Sequence, residues 1–194
     1  METLEQKIKR VAKDKITIEP YNPMWPQLFQ DEKAHLISLF PDNLIKRFEH
    51  FGSTSVPNLS AKPIIDIQIE VTSLEEIRNR VAPVLESQGY DYFWRPTKGD
   101  DVPPFYAWFI KRDANGFRTH HIHIVEDDIV FVEHWDVLQF RNYLIKHPEV
   151  AREYQDLKLS LSDNFPNDRV AYTDCKTEFI KRITEIAKAC NEKA

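Results

Sequence analysis

Between His50 and Ile69 the chain reads HFGSTSVPNLSAKPIIDIQI and continues into Glu70 and Val71. In its second half Ile65, Ile67, Ile69 and Val71 alternate with Asp66, Gln68 and Glu70. A period of two is the pattern of a strand with one buried face, so the chain has to build a sheet with its isoleucines inward and its polar groups on the other side. In the first half a strand pattern, Arg47 to Phe51, runs into Gly52, one of only four glycines in 194 residues. That scarcity predicts a sharp backbone turn at Gly52. Ser53, Thr54 and Ser55 follow it, and their hydroxyls and amides together suit an anion such as phosphate. The plain alternative is a strand-to-helix turn with no ligand.

Around this segment the spacing predicts a helix over Leu4 to Ala12, an edge strand from Ile16 to Glu19 closed by Pro20, and a helix from about Pro26 to Phe40. Ser73 and Glu76 form a capping box for a helix from Leu74 to Gln88 that stops at Gly89, with Pro83 as a kink. Tyr90 to Arg95, Phe105 to Arg112 and Arg118 to Val125 read as strands, the last two joined by the turn Asp113 to Gly116. Helical patterns then run from Trp135 to Lys146, from Glu149 to about Phe165 and from Asp168 to about Cys190. The expected class is α+β, close to α/β: a mixed β-sheet flanked by helices, followed by C-terminal helices. The order predicts one domain over 1–194, with a sheet core over about 16–126 and a helical part over about 134–192.

The chain is 42% hydrophobic and 12% aromatic, ordinary for a globular core, and its net charge of -5 argues against a general nucleic-acid binder. A small anionic ligand stays open. No stretch approaches the roughly 18 apolar residues of a membrane span, and METLEQKIKRVAKDK lacks the apolar core of a signal peptide. The expectation is a cytoplasmic protein without a membrane partner. Cys175 and Cys190, 15 positions apart in a helical pattern, cannot pair within one helix and are expected as reduced thiols.

The stretch GSTSVPNLSAKPIIDI resembles the signature of the GrpB-like family, and the likeness continues through YNPMWPQLF, RTHHIHIV, HPEVAREYQDLK and AYTDCKTEFI in the same order. It spans nearly the whole chain from about Ile18. The resemblance implies a nucleotidyltransferase-like fold, with a Gly-Ser turn before a helix and acidic residues on the next strand. Some relatives are joined to a dephospho-coenzyme A kinase, which implies nucleotide or cofactor metabolism; this chain has no kinase P-loop.

Nucleotidyl transfer needs a triphosphate held by amides and hydroxyls and a divalent metal held by carboxylates. Gly52 and Ser53 suit the first role, Asp66 the second, and Lys62 adds a point charge. Where nucleotidyltransferases carry a second carboxylate, this chain has Gln68, a poor ligand for a hard cation. Glu70 shares the face but stands roughly 13 Å from Asp66 along a strand. Asn58 takes the place of a family glycine, and asparagine tolerates a left-handed turn.

His121 and His123 share a strand face about 6.6 Å apart, so with Asp66 they suit a two-histidine, one-carboxylate metal site. The metal would be magnesium or manganese, or zinc with the histidines as ligands. The alternatives are a hydrogen-bonding pocket, a general base or ordinary strand residues. Arg118, Tyr172 and Lys176 are further nucleotide or phosphate candidates; Lys158, sharing a helix face with Tyr154, either reaches a phosphate, as the resemblance implies for the helical part, or is a solvated lysine. Trp25, Trp94, Trp108 and Trp135 read as core or groove wall. Three functions follow: a metal-dependent nucleotidyl or phosphoryl transferase of a small molecule with Asp66, His121 and His123 as its catalytic groups, a degenerate nucleotide- or phosphometabolite-binding domain, or a metal-dependent hydrolase using a histidine base.

Overall fold

A computed structural model describes residues 4–12, 15–97 and 101–191. The chain divides into two compact units, one built from Pro23–Ser55 and Ile64–Trp135, the other from Met1–Asn22, Val56–Pro63 and Asp136–Ala194. The class is the expected one, a mixed sheet with flanking helices.

The first unit holds a five-stranded sheet of β1 (Ile45–Phe51), β2 (Ile65–Val71), β3 (Asp91–Pro96), β4 (Phe105–Arg112) and β5 (Arg118–Glu126) in the order β1-β2-β5-β4-β3. Only β2 and β5 run parallel, with Asp66 beside His121 and Gln68 beside His123. β1 pairs antiparallel with β2, placing Phe51 next to Asp66 and Glu49 next to Gln68. β4 pairs antiparallel with β5, placing Trp108 next to His123. In the turn between β4 and β5 the Asp113 carboxylate accepts from the amides of Asn115 and Phe117, so the hairpin closes where the sequence places it.

One sheet face carries Phe48 and His50 of β1 with Ile67 and Ile69 of β2 and Ile122 and Ile124 of β5. Against it lies α2 (Trp25–Leu39), which buries Trp25, Phe29, Glu32 and Leu36 and stacks Phe29 on His50 at 4.8 Å. Both faces are covered at the middle of β2, because Gln68 is as buried as its isoleucine neighbours. Glu32 is a buried carboxylate on an apolar helix face, tolerated because it accepts from the Tyr90 hydroxyl at 2.6 Å and pairs with Lys111.

The helix expected over Leu74 to Gln88 is interrupted. The Ser73 hydroxyl caps α3 (Leu74–Glu76) by accepting from the Glu76 amide, but a wide π turn spans Ile77–Val81 before α4 (Ala82–Ser87). Pro83 lacks an N–H and crowds the carbonyl four residues back, and the π turn, in which the Ala82 amide reaches Ile77, accommodates that conflict.

The second unit is helical: α1 (Leu4–Ala12), α5 (Asp136–Lys146), α6 (Pro148–Asn164), α7 (Arg169–Cys175) and α8 (Thr177–Asn191). One cluster packs Val56, Leu59, Leu144, Ala151 and Tyr154, and another packs Ile16, Leu161 and Tyr172. The strand expected over Ile16 to Glu19 shrinks to a single bridge between Glu19 and Ala61. Pro57 and Pro63 flank that partner segment and have no amide to extend a ladder. The helix expected from Asp168 to Cys190 is two helices that part at Lys176, where the Thr177 hydroxyl takes the Thr173 carbonyl. Asp168 caps the first of them by accepting from the Ala171 amide. Cys175 and Cys190 are exposed and free.

Asn58 does adopt the left-handed conformation, at φ 63°. Asn58→Gly should therefore be neutral or mildly stabilising, and Asn58→Ala should cost about 1 kcal/mol in denaturant melts; equal stability of the two variants would refute that reading. Among the described residues no helix is long and apolar enough to cross a membrane.

Candidate functional site

The polar face of the sheet gathers Asp66 and Gln68 from β2, His121 and His123 from β5, Trp108 and Tyr106 from β4 and Phe51 from β1. Asp66 is held from two directions. Its Oδ1 accepts from His121 Nδ1 at 3.1 Å, and its other side lies against Gly52. Gly52 sits at φ +73°, and a Cβ there would overlap Oδ2 and come within 3.0 Å of both Asp66 Cβ and Cγ. The glycine is thus required twice, by its backbone conformation and by the close approach of the carboxylate.

The turn after it is a 3-10 segment, Ser53–Ser55, and two of its three hydroxyls are spent internally. Thr54 is buried and donates to the Ile64 carbonyl at 3.1 Å, so His50 Nε2 must be the donor in its 3.0 Å contact with Thr54 Oγ1. Ser55 donates back to the Gly52 carbonyl at 2.6 Å. Thr54 and Ser55 therefore do not offer their hydroxyl protons to a phosphate; Ser53 is the hydroxyl of the turn that keeps its proton available.

Arg118 is buried at the start of β5 rather than solvated, with Nη1 3.3 Å from His121 Nε2. A guanidinium can only donate, so Nε2 is the acceptor and the proton of the neutral ring sits on Nδ1, facing Asp66. His123 is packed among Phe51 at 5.4 Å, Tyr106 at 5.7 Å and Trp108 at 6.0 Å. Desolvation by those rings pushes its imidazole well below the ordinary histidine range, so it is neutral at pH 7. Beside it the Gln68 Nε2 and Trp108 Nε1 donors are buried without a protein partner.

The donor set does not suit the metal expected on Asp66, His121 and His123. The nitrogen of His121 that a metal would need is occupied by a cationic guanidinium, and the other nitrogen is bonded to Asp66. Among the described residues no three His, Cys, Asp or Glu side chains converge to hold a metal ion. Gln68, beside His123, is a neutral amide and buried.

Lys62, Tyr172 and Lys176 belong to the helical unit and do come together there. The ammonium groups of Lys62 and Lys176 lie 4.8 Å and 5.2 Å from the buried Tyr172 ring. Lys158 is not solvated but 2% exposed; its Nζ donates to the Ser60 carbonyl and lies 4.9 Å from the Tyr154 ring. The i, i+4 spacing with Tyr154 was the available signal, but it marks the buried face of α6 rather than the wet one.

Burial, and secondarily the charge of Lys176, pushes the Lys158 ammonium down to about 7. An unfolded lysine keeps its proton to about pH 10, so between about pH 7 and 10 the unfolded chain binds more protons and stability rises with pH. Thermal melts should show the wild-type Tm climbing relative to Lys158→Met from pH 7 to 9.5; parallel curves would disprove the linkage.

The family model described as GrpB protein matches residues 15–186. The chain belongs to the GrpB family. A GrpB crystal structure from Enterococcus faecalis is 34% identical with a TM-score of 0.75, covering 88% of this chain and 96% of that one. The glutamate-rich protein GrpB of Alkalihalophilus pseudofirmus is 32% identical over 89% of this chain and 96% of its own length. UPF0157 protein YqkA of Bacillus subtilis is 37% identical over 91% of this chain, which spans about half (48%) of that relative. A dephospho-CoA kinase of Mycolicibacterium paratuberculosis is 25% identical over 89% of this chain and 46% of its own length.

Proposed function

We propose that this GrpB chain is a binding domain for a nucleotide or a phosphorylated small molecule on a nucleotidyltransferase-like scaffold, and that it works without a carboxylate-held metal pair. One observation carries the reading: Asp66 is committed to His121 Nδ1 while Arg118 occupies Nε2. That chain of contacts leaves the histidine no lone pair for a metal or for a substrate proton unless Arg118 moves, which weighs against both the metal-dependent transferase and the histidine-base hydrolase. The aromatic walls around His123 and the adjoining buried donors of Gln68 and Trp108 suit the face and acceptor edge of a flat ring such as a nucleobase. The dephospho-CoA kinase relative is consistent with nucleotide or cofactor metabolism.

Thermal shifts with nucleoside triphosphates, run with EDTA and with magnesium, manganese or zinc, test the reading. The expected result is stabilisation that survives EDTA, about 2.7 kcal/mol when the nucleotide is one hundred times its dissociation constant. Stabilisation that demands a divalent ion and vanishes in Asp66→Asn would replace this reading with the metal-dependent transferase.

A further inference from the structure

Arg95 stands on β3, the strand at the end of the sheet, and belongs to the same face as Trp108, His123 and Gln68. Its register partner is Tyr106, but its side chain leans over the neighbouring residue of β4, with Cζ 4.7 Å from the Trp108 ring. A cation–π contact holds a guanidinium in place without neutralising its charge. Arg95 is exposed, and among the described residues no carboxylate pairs with it. The other arginines at the site are engaged, since Arg47 pairs with Glu49 at 3.4 Å and Arg118 holds His121 Nε2. The indole under Arg95 also carries the buried Nε1 donor that has no protein partner, and Gln68 carries another.

Trp108 on β4, His123 on β5 and Gln68 on β2 lie in one row across the sheet, so two strand spacings, about 10 Å, separate the indole from the amide. That is the reach of a nucleoside from its base edge to its 5′ oxygen. A ring seated against Gln68 and His123 thus directs a substituent leaving it toward β3 to the Arg95 guanidinium. A guanidinium fork matches two oxygens of one phosphate, and a neutral nucleoside offers it nothing comparable. We propose that Arg95 binds the 5′ phosphate of a nucleotide whose base lies on Gln68 and His123, so that this face selects a nucleotide over its nucleoside; this rests on the reading of the face as a nucleotide site.

Titration calorimetry of the full chain in EDTA, comparing each of the four ribonucleoside 5′-monophosphates with its own nucleoside, tests this. For the base that binds best, the monophosphate should bind about tenfold or more tighter than the nucleoside. Added salt should narrow that gap, because the cation is exposed. Arg95→Gln changes an exposed side chain and should leave the fold intact. It should close the gap by weakening the monophosphate alone, and Arg95→Lys, a point charge without the fork, should keep part of it. Trp108→Phe removes the Nε1 donor and should weaken monophosphate and nucleoside alike, leaving their ratio unchanged. Equal binding of the two by the wild-type chain, a gap that survives Arg95→Gln, or an equal loss of both in that variant would overturn the role of Arg95 while the base site stands. If none of the eight probes binds, the nucleotide reading beneath it falls as well.

Discussion

Gly52→Ala should lower stability by about 3 kcal/mol, from about 1–2 kcal/mol for a Cβ in the left-handed region and a further overpacking cost of similar size. For a chain of this length that corresponds to a fall in Tm of about 6–12 °C. The overpacking part has a named cause, because the new methyl would overlap the Asp66 carboxylate. Asp66→Ala should therefore relieve it: in a double-mutant cycle, Gly52→Ala on the Asp66→Ala background should cost only the backbone part, a coupling of about 1–2 kcal/mol. Full additivity of the two substitutions would mean that the carboxylate does not need the glycine.

Glu32→Ala should be of similar size, about 3 kcal/mol in denaturant melts. Its carboxylate is 2% exposed on α2, accepts from Tyr90 and pairs with Lys111, so truncation strands a buried hydroxyl and a half-buried ammonium at once. Burial and the Glu32 hydrogen bond both push the Tyr90 hydroxyl far above its ordinary value, so it stays a donor throughout the accessible pH range. Glu32→Gln keeps an acceptor for Tyr90 and should cost roughly half as much. If the alanine and glutamine variants melt together, the Tyr90 bond contributes nothing and the loss lies with Lys111 alone.

These two positions show how unevenly the chain can be read. Gly52 was legible from its scarcity and from its place between a strand and a run of hydroxyls, but its purpose was not. The expected anion cradle loses two of its three hydroxyl donors to the Ile64 and Gly52 carbonyls, and the glycine instead makes room for Asp66. Glu32 looks in sequence like one more charge on a helix. Only the approach of Tyr90 and Lys111, 58 and 79 positions away, explains a carboxylate in the core. Lys158 is the same case in reverse: tyrosine and lysine four apart locate a helix face but not whether that face is wet.

The strands were the most legible elements, because alternation and the Asp113 to Gly116 turn are local signals that the hydrogen-bond ladder only has to obey. Helix interiors were read well and their breaks poorly. The π turn before Pro83 and the parting at Lys176 depend on how single carbonyls are satisfied, which periodicity does not encode.

By itself the sequence determined the sheet, its helices, its family and the short roster of polar groups on β2 and β5, since each rests on neighbouring residues or on a pattern spread along the chain. Tertiary structure alone decided which of those groups are engaged. The parallel register of β2 and β5 sets Asp66 beside His121, and Arg118 reaches the far nitrogen of that ring. A side chain's lone pairs and protons can each be used once, and who uses them is settled by contacts between residues remote in sequence.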